Sequence, residues 1–324
     1  MCSINSQKAG EHMDSLTAAT KKRTKKQSSP LSAVDRRGIL FCLPFVIIFL
    51  IFNVYPVFRT FQMSFMNYKG FGKETFIKFD NYVRVFTDKL YWRAFLNTLK
   101  MWGLNIVLQL GLALLLTIVF NDMKYRMKGL SIFRALFYLP NLIACTSVAF
   151  LFKTLLDWKY GSFNQLLMSM HLISKPIDWL NGSPATAQAI VGIVGAWMWF
   201  GNSFIMLMAG VQGIDTSYFE AATIDGAGRW AIFAKITMPI LRPVMLYVAV
   251  TSLIGGLQLF DIPYLISGTK GTPDRALFTA VFYLYDMAFN KNQMGYAAAL
   301  AFVLFLIIAV FCGIAFKLMN RKED

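Results

Sequence analysis

Ionisable and metal-binding side chains are scarce in this sequence. Its 324 residues include only two histidines and four cysteines, and only 15% are charged. A soluble domain usually carries about 25% charged residues. The deficit excludes disordered, coiled-coil and disulfide-scaffold classes and argues against a soluble enzyme. Cys42, Cys145 and Cys312 sit within apolar runs and Cys2 lies near the start, with no CxxC spacing, so neither a disulfide framework nor a zinc site is indicated. His12 and His171 alone offer almost nothing for metal or triad chemistry. No GxSxG, HExxH or paired-carboxylate pattern occurs. A nucleotide-binding P-loop needs GxxxxGK followed by Ser or Thr, but the only Gly-Lys dipeptide, Gly72-Lys73, is followed by Glu74. No nucleotide or metal cofactor is therefore expected in this chain.

What is abundant is apolar. Hydrophobic residues make up 56% of the chain, with 30 Phe and 17 Met, more than one soluble core needs. A helix needs roughly 20 mostly apolar residues to cross a bilayer, and about six stretches meet that length. They run near Ile39–Phe58, Leu99–Phe120, Ile132–Phe152, Ala187–Gly210, Ile240–Phe260 and Ala297–Phe316. Backbone groups in lipid must be satisfied within the segment, and barrel-type alternation is missing, so these read as helices. The expected fold is all-α and polytopic.

The formal net charge of +15 would suggest nucleic acid in a soluble protein, but here the cations lie in a tail and loops. Residues 1–37 read as a basic cytosolic tail, with Lys21, Lys22, Arg23, Lys25 and Lys26 clustered, and 317–324 as a second cytosolic tail. The basic tail and the short loop at Lys124, Arg126 and Lys128 place both termini in the cytosol. The first apolar segment lacks a small-x-small cleavage site and reads as an uncleaved span rather than a signal peptide.

The connection 211–239 then faces inward. Ser217-x-x-Glu220 fits a capping box, and Asp225-Gly226 should break the helix that follows. A second short helix is expected from about Arg229 to Thr237, with Trp230, Phe233, Ala234 and Ile236 near one face. Pro239 and Pro243 suit the start of the next helix. Ala221, Ala222, Gly226 and Ala227 should present a small-residue surface, fit either for docking or for an ordinary interfacial loop.

Glu220-Ala-Ala-x-x-Asp-Gly-Ala-Gly, followed by Ile236 and Pro239, resembles the EAA loop of ABC-importer permease subunits. Leu43-Pro44-Phe45, Tyr55-Pro56, Ser64-Phe65, Asp80-Asn81-Tyr82, Asn97-Thr98, Gly161-Ser-Phe-Asn164, Phe260-Asp261-x-x-Tyr264 and Gly271-Thr-Pro-Asp extend the likeness to carbohydrate permeases of the maltose-transporter F type. The resemblance spans about residues 38–316, the expected permease domain. It implies a binding-protein-dependent inner-membrane component of a bacterial cytoplasmic membrane that is not itself an enzyme. It also implies a second permease subunit, two ATPase subunits that hold ATP and Mg, an extracytoplasmic solute-binding protein and a sugar, with an oligosaccharide expected. Glu220, Ala221, Ala222, Asp225, Gly226 and Ala227 would be the ATPase-coupling residues.

A translocation path is expected where polar or small groups interrupt apolar helices. Trp199, Asn202 and Ser203 lie before the loop; Thr251, Ser252, Gly256, Gln258 and Asp261 lie after it. Aromatic faces stack on sugar C–H faces, while amides and hydroxyls bond sugar hydroxyls. Each position also has a plainer reading. Trp197 and Trp199 fit membrane-interface anchors, Gly255-Gly256 fits helix packing, and Asp261 fits the headgroup level. Pro140-Asn141 in the third span fits either a kink or a proline start. The functional alternative to an ATP-driven importer is a self-contained secondary transporter, which would need coupling-ion carboxylates or matched broken helices.

Overall fold

The computed structural model describes residues 33–120 and 129–320. The basic cluster at Lys21–Lys26, the loop cations Lys124, Arg126 and Lys128, and residues 321–324 lie outside the described residues. The chain divides into two units, one ending at Arg59 and one starting at Thr60.

In the first unit a helix begins at Ala33, inside the stretch read as tail. Its apolar part belongs to the span α1, Leu40–Ser64. Over Leu50–Val54 the helix widens, and the Tyr55 N–H reaches back to the Leu50 carbonyl. Pro56 follows at once, and its missing N–H frees the Phe52 carbonyl within that wide turn.

In the second unit, a two-residue hairpin, β1 Met66–Asn67 and β2 Thr75–Phe76, pairs antiparallel with Met66 opposite Phe76. Helices α2 Asp80–Thr87, α3 Lys89–Phe120, α4 Leu130–Leu142, α5 Cys145–Leu155 and α6 Ser162–Ser169 follow. Next come α7 Pro184–Gln212, α8 Thr216–Ile224, α9 Arg229–Ile232, α10 Arg242–Leu257 and α11 Asp261–Ser267. Helices α12 Ala280–Tyr285 and α13 Met294–Asn320 complete the chain, the last running past Phe316.

Among the described residues, five helices are long and apolar enough to cross a membrane, or six if one bent pair counts as a span. The bent pair is the expected third span. It is not one helix but α4 and α5, set at 88° to each other. Ile143 and Ala144 are extended at the break, just after Pro140, so the proline lies near a bend and does not start a span.

Helix α3 packs along α7, which also receives α4, while α13 receives α2 and α10. One core gathers Tyr91, Leu257, Phe282 and Leu300; a second gathers Met101, Val148, Val191 and Leu277; a third gathers Ala113, Phe204, Leu207 and Leu241. Small residues set the closest approaches. A Cβ at Gly201 of α7 would meet the Phe137 carbonyl oxygen of α4 at 1.8 Å, so only glycine permits this crossing.

Several residues that carried the family resemblance are staples. Asn81 donates to the Ser64 and Met66 carbonyls at 2.9 and 3.0 Å. Asn97 donates to the Arg275 and Phe278 carbonyls, and Gln188 of α7 donates both to Asn97 Oδ1 and to the Ala276 carbonyl. Asn164 donates to the Ile177 carbonyl and accepts from Trp179 Nε1 at 2.8 Å. Each amide satisfies backbone carbonyls at element ends or in connecting segments, where regular pairing leaves acceptors over.

Candidate functional site

A cavity of about 150 Å³ opens among α3, α7 and α10, and Leu259 and Ile262 also line it. Helix α7 brings Gly192, Gly195, Trp199, Asn202 and Ser203. Helix α10 brings Val248, Thr251, Ser252, Gly255 and Gly256. Six of the eight expected path residues, Trp199, Asn202, Ser203, Thr251, Ser252 and Gly256, therefore share one chamber. Gln258 and Asp261 do not line it. Both are exposed, Gln258 just past the end of α10 and Asp261 at the start of α11. Trp197 turns away from the chamber and packs edge-on against Phe152.

The third wall was not anticipated. Helix α3 contributes Met101, Trp102, Asn105 and Gln109. Trp102, Asn105 and Gln109 stand at i, i+3 and i+7, which places them on one helix face. That spacing of amphipathic side chains inside an apolar run was the available signal. Gln109 ties the walls together. Its Nε2 donates to Ser203 Oγ of α7 at 2.7 Å, and its Oε1 accepts from Ser252 of α10 at 3.3 Å. Glycines on the facing helices make room for the α3 side chains. A Cβ on Gly256 would fall 1.8 Å from Trp102 Cδ1, and one on Gly195 would fall 2.3 Å from Asn105 Nδ2. Gly255, beside Gly256, has nothing within 4 Å of such an atom.

The lining is neutral throughout: amides, hydroxyls, two indoles and apolar groups. Among the described residues no group of three His, Cys, Asp or Glu side chains gathers to hold a metal. The chamber can offer hydrogen bonds in several directions and aromatic faces, but no general acid, base or nucleophile.

The loop after α7 folds as helix, turn and helix, with two corrections. Asp215, not Ser217, caps α8: its carboxylate accepts from the Ser217 N–H at 2.9 Å. Hydrogen bonding to Ser217, first through its backbone, holds the Asp215 carboxyl below the usual range. Asp serves this position because its short acidic side chain reaches a free N–H and meets the positive helix end. Helix α8 stops at Ile224, and just beyond it Gly226 has a φ of +75°, where the Gly226 and Ala227 N–H groups bond back to the Thr223 and Ala222 carbonyls. This 5→2 and 6→1 pair is the Schellman closure that favours glycine.

The second correction concerns the small-residue surface. Ala222 is only 7% exposed because it shares the inward face with Phe219, three residues earlier. Ala227 is half-buried, whereas Glu220, Ala221, Asp225 and Gly226 are exposed. The outward surface also holds large apolar groups: Tyr218 at 58%, Ile224 at 86% and Trp230 at 74% exposure. Phe233 and Ile236 are half-buried, so Trp230 and Ala234 point away from the packed side. The loop's second helix runs from α9 through a wide turn at Phe233–Thr237 to Ile240. That widening precedes Pro239 as the first precedes Pro56. Only Pro243 lies in the first turn of α10.

The sequence profile of binding-protein-dependent transport system inner membrane components matches residues 38–322. The chain belongs to this family. The protein is thus a membrane transport subunit, a multi-pass permease and not an enzyme. The lactose transport system permease protein of Rhizobium radiobacter is 33% identical over 304 residues, covering 93% of this chain and 99% of that one. The trehalose/maltose transport system permease protein of Thermococcus litoralis is 28% identical over 288 residues, covering 89% and 95%. A bacterial alginate ABC transporter, solved in complex with an alginate pentasaccharide-bound periplasmic protein, superposes with a TM-score of 0.75. It is 26% identical, over 89% of this permease and 96% of that chain.

Proposed function

We propose that this permease is the F-type membrane subunit of a binding-protein-dependent, ATP-driven sugar importer in the bacterial inner membrane. It forms the translocation path with a second permease and has both termini in the cytosol. Two ATPase subunits, which hold ATP and Mg, dock on the loop 211–239 and an extracytoplasmic solute-binding protein delivers the sugar. The observation that carries this reading is the neutral, aromatic and amide-lined chamber in a member of this family. The relatives' names, lactose and trehalose/maltose permease, and the alginate complex with its periplasmic protein support it.

In this reading the chamber holds the sugar by hydroxyl and stacking contacts. The exposed end of the loop, Ala221, Ile224, Asp225, Gly226 and Trp230, enters an ATPase groove. Small groups at Ala221 and Gly226 let the surfaces meet closely, and Ile224 and Trp230 supply apolar area. Ala222 instead fixes the helix from behind, packed inward beside Phe219. Closure of the ATPases pushes on the loop and rocks α7 and α10, which flank it and line the chamber.

The test is sugar uptake into proteoliposomes that contain this chain with its partner subunits. Uptake should require ATP inside and fall to background with Gly226→Trp, which also loses ATPase copurification. Uptake of sugar by this chain alone without ATP would establish the secondary-transporter alternative instead.

A further inference from the structure

Helix α2 has three faces, and its own bundle uses only one. Asn81 and Val85 are buried, on a helix that packs along α13. Asp80, Arg84 and Thr87 form an exposed polar face. Phe79, Val83 and Phe86, at i, i+4 and i+7, form the third and are 65%, 62% and 63% exposed. A single exposed apolar side chain is ordinary, but three large ones aligned on a short helix mark a contact surface.

Contacts with α13 set the level of this face. The Arg84 guanidinium lies 3.8 Å from the centroid of the Tyr296 ring, and the Tyr296 hydroxyl donates to Asp88, the residue after α2. Tyr296 stands at the start of the span Met294–Leu318, whose apolar run is long enough to fill a hydrocarbon layer of about 30 Å. Helix α2 is therefore held where a spanning helix meets the bilayer surface. Its apolar face also continues onto α3. Phe86 stacks on Trp92 with centroids 6.5 Å apart, Trp92 Nε1 donates to the Phe86 carbonyl, and Leu96, one turn further, is exposed. Lys78 and Lys89 stand exposed at the two ends of α2. Lys100 is exposed one turn beyond Leu96, and helical side chains tilt toward the N-terminus, which carries its ammonium back toward the same level.

We propose that α2 is an in-plane anchor that docks on the bilayer surface and collects anionic phospholipid. Phe79, Val83 and Phe86 sink to the boundary between headgroups and acyl chains, as the apolar face of an interfacial helix does. Trp92 extends that face at the depth where indoles gather in membrane proteins. Lys78 and Lys89 meet lipid phosphates from the two ends, while Asp80 and Arg84 stay on the water side. The anchor needs only that the chain spans a membrane, so it stands apart from the sugar reading.

The experiment is site-specific photocrosslinking in the assembled transporter, held in nanodiscs of equal parts phosphatidylglycerol and phosphatidylcholine with the solute-binding protein added. The photoreactive residue is Val83→p-benzoylphenylalanine, with Asp80→p-benzoylphenylalanine as the control on the water side of the same helix. Both positions are exposed, so folding should hold, and subunit copurification reports it; Phe79 takes the probe if position 83 lowers assembly. Mass spectrometry should find phospholipid adducts at position 83 and few at position 80. Phosphatidylglycerol adducts should outnumber phosphatidylcholine adducts at least about fivefold, the worth of one cation at a charged membrane surface. Lys78→Gln with Lys89→Gln should bring that ratio to about one. An adduct at position 83 with the binding protein or another subunit, or no adduct at all, overturns the proposal, as does equal lipid labelling at both positions. A ratio of one in the parent, or a ratio that the double lysine variant leaves unchanged, overturns the collection of anionic lipid.

Discussion

Gln109 on α3 donates to Ser203 on α7 at 2.7 Å across 94 residues of sequence. The same amide accepts from Ser252, so one buried side chain joins the three helices around the chamber. Gln109→Leu keeps the bulk but breaks both links. Side-chain hydrogen bonds between membrane helices are worth about 0.6 kcal/mol on average and up to about 1.7. The expected loss is about 1–2 kcal/mol of stability, read as earlier unfolding in a denaturant titration in detergent. An unchanged midpoint would show that the amide is not a tie.

The Gly201–Phe137 crossing makes a sharper demand. Gly201→Ala places a methyl group where the Phe137 carbonyl oxygen sits, and backbone cannot yield as a flexible side chain does. Overpacking of this kind costs about 1–3 kcal/mol, so folded yield should fall. Gly103→Ala, with nothing within 4 Å of the new atom, is the matched control and should express normally. Equal yields from the two variants would refute the close crossing.

Asp88 governs acid sensitivity at the end of the bundle where α2 meets α3. Its Oδ2 accepts from Tyr283 at 2.5 Å and Tyr296 at 2.6 Å, and its Oδ1 accepts from the Leu90 and Tyr91 N–H groups. Burial alone would raise this carboxyl, but those hydrogen bonds outweigh it and hold the group below its ordinary value. Burial, then the bond to Asp88, pushes the Tyr283 phenol up, so it stays a donor. A carboxyl depressed by folding stabilises fully above its unfolded value of about 3.9 and loses that stabilisation as pH falls through the folded value. Asp88→Asn should therefore lower thermal stability at pH 7 and flatten the loss seen on acidification below about pH 4. A variant with the parent's full acid dependence would rule this assignment out.

The loop's exposed apolar groups give a test independent of the chamber. Ile224→Asp with Trp230→Ser changes two side chains that are almost free of the chain's own packing. Folding and detergent yield should stay near parent level, because exposed substitutions usually move stability by less than about 0.5 kcal/mol. ATPase copurification should drop at least about tenfold, since exposed large apolar groups concentrate binding energy. Retained copurification would move docking elsewhere.

The amino-acid sequence by itself determined the membrane class and most of the spans, because uninterrupted apolar length is a property of the chain alone. It also determined the helix–turn–helix of the loop, since Gly226 occupies a left-handed position that other residues avoid. The cap moved from Ser217 to Asp215 because both suit the position, and only the backbone path chooses between them. Tertiary structure alone decided which faces look inward. Lipid is as apolar as a protein core, so the periodicity that marks a buried face in a soluble helix is blurred in a spanning one. That is why the Trp102, Asn105 and Gln109 face went unread, and why Ala222 proved to be buried while Ile224 and Trp230 did not. It is also why Gln258 and Asp261, polar and near the path in sequence, stand outside a chamber that only the meeting of α3, α7 and α10 creates.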